Sequence, residues 1–159
     1  MLVFLDVDGP LNPFAAEEKP PGFVEHRFRL RGWSRKHPLR MWLNPGHGAA
    51  LLDAGPAQLV WATTWNHQAN TLVGPAIGLP PLAVVDCADT GASWKYGPVA
   101  AFAGRRPLVW LDDDFDVYPA AREEFLAGRE GVVTELIAVD PRRGMGEEHL
   151  AVLRECLRG

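Results

Sequence analysis

Apolar residues fall along the chain in short, nearly unbroken runs separated by longer stretches of mixed character. The runs are Leu2–Leu5 (LVFL), Leu59–Ala62 (LVWA), Leu82–Val85 (LAVV), Leu108–Leu111 (LVWL) and Leu136–Val139 (LIAV). Consecutive apolar residues leave no polar face, so each run reads as a strand buried on both sides, as in a parallel sheet covered by helices. The mixed stretches predict helices over roughly Pro45–Asp53, Asn66–Ile77, Trp94–Phe102, Val117–Ala127 and Glu147–Leu157. Strand–helix alternation of this kind implies an α/β fold, doubly wound around a mostly parallel sheet of five strands.

Residues 13–43 break the alternation. They hold Phe23-Val24-Glu25-His26-Arg27-Phe28-Arg29-Leu30, then Gly32, then Leu39-Arg40-Met41-Trp42-Leu43. Apolar and basic residues alternating around a Gly-containing turn predict a β-hairpin. We read it as a small cap-like insertion directly after the first strand, above the carboxyl edge of the sheet. The whole of 1–159 is then a single domain carrying that insertion.

Composition narrows the picture. A chain of 159 residues, 47% of them apolar, is enough for one real core. A net charge of −4 argues against a protein that coats nucleic acid non-specifically. The sign is uneven, however: Arg27, Arg29, Arg31, Arg35, Lys36 and Arg40 follow one another with no acid between them. Cys87 and Cys156 stand far apart and read as reduced thiols rather than a disulfide framework. The N-terminal apolar run reaches only to Leu5, too short for a signal segment or a membrane span. The expectation is a cytoplasmic protein with no membrane partner.

The residues after the strands carry the chemistry. Asp6-Val7-Asp8-Gly9 follows the first, Thr63-Thr64-Trp65-Asn66 the second, and Asp112-Asp113-Asp114-Phe115-Asp116 the fourth. In an open parallel sheet these positions converge on one edge, where ligands bind. Crowded carboxylates repel and resist ionisation, and a divalent cation removes that cost. A ligand set of oxygens alone favours Mg²⁺ with a phosphate-bearing substrate. In Asp6-x-Asp8 the two carboxyls can face one substrate, one attacking phosphorus while the other moves the proton. Lys95, 17 residues before Asp112 at the start of a predicted helix, can neutralise phosphoryl oxygens.

Taken in order, LVFLDVDG, LVWAT, Lys95 and LVWLDDDFD resemble the four motifs of the haloacid dehalogenase (HAD) superfamily, over Leu2 to about Asp116. The resemblance implies a HAD-like Rossmannoid fold and a Mg²⁺-dependent phosphatase with an aspartyl-phosphate intermediate. It makes Asp6 the nucleophile and a metal ligand, and Asp8 the general acid/base with its backbone carbonyl on the metal. Thr63, helped by Thr64, would bind the phosphoryl group, and Lys95 would steady that group and Asp6. Asp113 would hold the metal with Asp112 as its support, and Asp116 would stand behind them. Where the superfamily's first motif commonly continues Gly-Thr, this chain has Gly9-Pro10. The segments DVDGPLNP, LVWATTW and RPLVWLDDD are further similar to the HAD domain of bacterial multi-domain RNA-repair proteins, which implies phosphate removal from nucleic-acid ends. On that implication Arg27, Arg29 and Arg31 form a substrate-binding rim, and Trp33, Trp42 and Trp65 are candidate stacking platforms.

Each feature also has a purely structural reading. Asp-x-Asp-Gly is commonly a turn, Thr63-Thr64 a helix cap, Lys95 a surface charge, and Asp112–Asp116 an acid cluster at a helix N-terminus. The basic residues could be the solvated face of the hairpin, the Trp residues packing, and His67 an exposed helix-start residue. Rival functions are a small-molecule phosphatase for nucleotides or sugar phosphates, a receiver-type phospho-acceptor without turnover, and a binding module.

Overall fold

In chain order, β1 (Leu2–Leu5) is followed by β2 (Val24–Phe28), β3 (Leu39–Leu43), α1 (His47–Leu52), β4 (Gln58–Trp61), α2 (Gly74–Ile77) and β5 (Ala83–Val84). Then come α3 (Tyr96–Ala103), β6 (Leu108–Asp112), α4 (Pro119–Ala127), β7 (Thr134–Ala138) and α5 (Glu147–Arg158). This is a computed structural model, and it describes residues 1–30, 36–87 and 91–159. The five apolar runs all enter one sheet, ordered β5-β4-β1-β6-β7, in which every neighbouring pair is parallel. The architecture is α/β and Rossmann-like, with β1 at the centre.

Alternation along the strands explains why the runs had to be apolar throughout. Val3, Leu5, Leu59, Trp61, Val109 and Leu111 point to one face, where they meet Leu51 of α1, Ile77 of α2 and Leu150 and Leu153 of α5. Leu2, Phe4, Val60, Leu108 and Trp110 point to the other, where they meet Tyr96 and Val99 of α3 and Phe125 of α4. Helices therefore cover both faces, and each fully buried large side chain stabilises the fold by roughly 1.5–3 kcal/mol.

The predicted hairpin is present, paired from Val24↔Leu43 to Phe28↔Leu39. It is not free-standing above the sheet edge. Met41, Trp42 and Leu43 are buried, and Met41 and Leu43 belong to the same core as α1 and α5. The outer strand keeps Val24, Glu25 and Arg27 in solvent.

Helix α1 starts at His47, two residues after the expected Pro45, and three other helix starts differ from the sequence expectation, each at a proline or a left-handed residue. The stretch 66–77 is a π-helical turn over Ala69–Val73 followed by the short α2. Pro75 has no N–H for the Thr71 carbonyl, so a continuous α-helix loses a bond there. Trp94 has φ +47, so α3 starts at Tyr96 and leaves Lys95 at its N-cap. Helix α4 starts at Pro119, whose fixed φ suits the first helical position. No helix among the described residues is long and apolar enough to cross a membrane.

Candidate active site

Because β4 and β6 flank β1, the residues that end these three strands lie side by side. Asp6 donates its N–H to Leu111 O (3.0 Å), and Ala62 donates to Leu5 O (2.9 Å), so the ladder runs up to the site itself. The chain leaves β1 towards β4 on one side and later returns to β6 on the other, which makes this edge the topological switch point. Lys95 reaches in from the N-cap of α3. Its Nζ lies 2.6 Å from Asp6 Oδ2 and 2.7 Å from Asp112 Oδ2. All three are buried, Lys95 at 4%, Asp6 at 6% and Asp112 at 0% exposure.

Further bonds hold these carboxylates in place. Asp6 Oδ1 accepts the Val7 N–H (2.7 Å), and Thr63 is buried at the end of the neighbouring strand. Asp112 Oδ1 accepts the Asp114 N–H (3.2 Å). Asp113 is half-buried beside Gly9, and a Cβ on Gly9 would fall 2.4 Å from Asp113 Cγ. With φ +86 as well, position 9 accepts only glycine without strain. Asp6, Asp112 and Asp113 each bring a carboxylate oxygen within 4.8 Å of the others, a set that could hold a metal ion.

The electrostatics follow from burial. Desolvation raises the Asp6 carboxyl above its ordinary value although Lys95, Thr63 and the Val7 N–H pull it down. Asp112 is pushed well up, by burial first and by the Asp6 charge second. Asp113 is raised to about 7 by burial, then by Asp114 and Asp6. Burial alone would lower the Lys95 ammonium, but the Asp6 and Asp112 charges overcome it and hold it above its usual range. Without further positive charge the cluster is under-neutralised, which is the condition a divalent cation relieves.

Asp8 is oriented differently. It sits at the half-buried turn after β1, and both of its oxygens accept from neutral N–H donors. Asn12 Nδ2 donates to Oδ1 (2.8 Å) and Trp65 Nε1 to Oδ2 (2.8 Å). Neither donor was singled out for this from sequence. Asn12 is four residues from Asp8 and readable as a turn residue, but Trp65 is 57 residues from Asp8, with no local signal of contact.

Other expected site residues lie apart from the cluster. Thr64 is exposed on the turn after β4. Asp116, expected to stand behind the acids, instead forms a surface ion pair with Arg122 (2.8 Å) and has a 90% exposed side chain. Arg27 and Arg29 are exposed, while Arg31, Trp33 and Arg35 lie outside the described residues. The basic stretch is less uncompensated than its sequence implies, because Glu25 pairs with Arg27 (2.8 Å) from two residues before it. The Arg27 hydrogen bond and then its charge hold Glu25 below the usual carboxylate range. Trp42 is packing rather than a platform for a base, being buried with the Arg40 guanidinium 4.1 Å over its ring. His67 is exposed, and both cysteines are free thiols, Cys87 pushed up to about 11 chiefly by burial.

Compared with family models, with curated proteins and with solved structures, the chain matches none.

Proposed function

We propose that this protein is a Mg²⁺-dependent phosphomonoesterase of the HAD type, working through a phosphorylated Asp6. One observation carries the reading: the Lys95 ammonium sits between Asp6 and Asp112, with Thr63 and Asp113 on the same strand ends. A structural ion pair needs one carboxylate per ammonium. Here two carboxylates share one ammonium and a third, Asp113, brings an oxygen within 4.8 Å of theirs, at the edge where an α/β sheet binds ligands.

Asp6, Asp113 and the Asp8 carbonyl would hold the ion, with Asp112 supporting them through Lys95; the donor set is all oxygen, which suits Mg²⁺. When bound, magnesium supplies positive charge for the phosphoryl oxygens and the acid cluster. Asp6 attacks phosphorus in line, the bond to the leaving oxygen breaks, and Asp8 delivers a proton to that oxygen. Water then attacks the phosphorus of the aspartyl-phosphate, Asp8 takes the water proton, and the bond to Asp6 breaks to release phosphate. Thr63 and Lys95 donate hydrogen bonds to the phosphoryl oxygens in both steps, where charge is redistributed.

The test is phosphate release with Mg²⁺ from an aryl phosphate, nucleotides, sugar phosphates and end-phosphorylated oligonucleotides. Multiple turnover on any of them supports the reading. Stoichiometric phosphorylation of Asp6 without turnover favours the phospho-acceptor, and absence of both overturns the assignment. Preference for oligonucleotides over mononucleotides is the outcome that selects nucleic-acid ends as substrate.

A further inference from the structure

We infer that Trp65 is a positioning residue for Asp8: its indole N–H, acting opposite the Asn12 amide, fixes the Asp8 carboxyl in the one orientation from which it can exchange a proton with the leaving group. The inference rests on the phosphatase reading of the site.

An Asp at a half-exposed turn would ordinarily sample several rotamers, and holding it in one costs side-chain entropy. Asp8 is held at both ends. On one side Asn12 donates through Nδ2 (2.8 Å), and its own orientation is set because Asn12 Oδ1 accepts the Trp42 N–H (3.1 Å). An amide whose oxygen is committed to a backbone donor has only its NH₂ left for a carboxylate. On the other side Trp65 Nε1 donates to Oδ2 at 2.8 Å, a full-strength N–H···O distance.

Trp65 is itself braced. Its backbone N–H meets Thr63 Oγ1 (3.3 Å), so the residue that orients Asp8 shares a turn with the buried Thr63. The next residue, Asn66, is left-handed (φ +47), and its Oδ1 accepts the Cys87 N–H (3.0 Å), tying the turn to the chain that leaves β5. The Trp65 ring also packs against the core on the α1 and α5 side.

The donor type matters as much as the place. Indole N–H donates and cannot accept, and it does not titrate near neutral pH. A Lys or Arg here would bind the charged carboxylate and oppose the protonated form that a general acid needs. A neutral donor to one lone pair of each oxygen orients the group and leaves a lone pair free for the proton. Orientation of this kind acts on proton transfer, while phosphoryl binding by Thr63 and Lys95 is unaffected.

The experiment compares wild type with Trp65→Phe on two phosphates, p-nitrophenyl phosphate and glycerol phosphate. The nitrophenolate leaves without help, whereas the alkoxide must be protonated as it departs. Trp65→Phe should lower kcat/KM for the alkyl ester at least about tenfold more than for the aryl ester. A loss shared equally by both esters, or no loss on either, overturns the positioning role while leaving the phosphatase reading intact. Wild type inactive on every phosphate overturns the phosphatase reading and this role together. An activity-independent arm follows the Trp65 indole N–H in proton–nitrogen correlation spectra of the wild type, assigned through its bonds to the sequentially assigned Trp65 backbone. It should shift strongly in Asp8→Ala, and an unmoved peak refutes the contact even if Trp65→Phe folds too poorly for kinetics.

Discussion

Replacing Lys95 by Met gives the sharpest test of the buried charge cluster, because Met matches the Lys stem in length and removes only the ammonium. In the wild type that ammonium touches Asp6 at 2.6 Å and Asp112 at 2.7 Å, with all three groups nearly inaccessible to water. Removing one member of a buried ion pair leaves an uncompensated charge and typically costs about 3–5 kcal/mol. Here two carboxylates are stranded, so the upper part of that range applies at neutral pH in metal-free buffer. For a domain of this size each kcal/mol lowers Tm by roughly 2–4 °C, so a drop on the order of 10–20 °C follows. The pH dependence has a definite sign. Burial already raises the Asp6 and Asp112 carboxyls in the folded state, and a methionine in place of Lys95 no longer pulls them back down.

A carboxyl raised on folding contributes stability that is present below its unfolded value, about 3.9, and lost as pH rises through the folded one. The cost of Lys95→Met should therefore be smallest near pH 4 and grow towards pH 8, measured by urea unfolding of both proteins across that range with EDTA present. The double variant Lys95→Met/Asp112→Asn should recover part of the loss, as coupled neighbours do in a double-mutant cycle. A cost below about 1 kcal/mol at neutral pH, the size of an exposed pair, would refute the buried bridge. So would a cost that does not change with pH.

Four other outcomes are open to direct measurement. Asp6→Asn should reduce turnover by at least ~10³, on the order of 4 kcal/mol in barrier, and retention of more than about a tenth of wild-type turnover would move the nucleophile elsewhere. Activity should vanish with EDTA, return with Mg²⁺ and be poorly supported by Ca²⁺, whose looser coordination misplaces the phosphate; Asp113→Ala should raise the Mg²⁺ requirement far more than the exposed Asp114→Ala, and the reverse ranking would move the metal. His47, buried with Nε2 against Met145 O, is lowered from 6.5 to about 4 by burial, so the fold should lose up to about 3 kcal/mol as pH falls between those values; an identical slope in His47→Phe would assign the loss to other groups. Neutralising Arg27, Arg29 and Arg31 should raise KM for an oligonucleotide and flatten its salt dependence by roughly 0.7 per lost phosphate contact, leaving an aryl phosphate unchanged; equal effects on both would remove the basic rim from binding.

Much of the fold was legible because two-sided burial writes itself as apolar runs. Leu2–Leu5 coincides with β1, and the other four runs overlap β4, β5, β6 and β7 by all but a residue or two at their ends. The hairpin was legible from its alternation, but its anchoring was not, because Met41-Trp42-Leu43 reads the same on a free flap as in a core. Helix starts slipped where a local backbone feature overrode the apolar period, as at the left-handed Trp94 and at Pro75. Asp6, Thr63, Lys95 and Asp112 come together in space because each follows a strand or opens a helix at the same sheet edge. The second layer of the site was hidden for the opposite reason. Trp65 to Asp8 and Asn12 to the Trp42 backbone are single bonds between distant segments, and neither has a periodicity or a spacing to betray it.

That second layer changes what the hairpin can be. Asn12 accepts from the Trp42 N–H with one end of its amide and donates to Asp8 with the other. The inner hairpin strand, the turn after β1 and the Asp8 carboxyl are therefore one hydrogen-bonded unit, and the same strand is fastened to the core through Met41 and Leu43. A flap that opened as a whole would have to unseat those buried side chains and break the amide bridge to Asp8 at the same time. Each fully buried apolar side chain of that size opposes such opening by roughly 1.5–3 kcal/mol. The inner strand is therefore fixed both to the core and to Asp8, while the outer strand, where Val24, Glu25 and Arg27 face solvent, buries little.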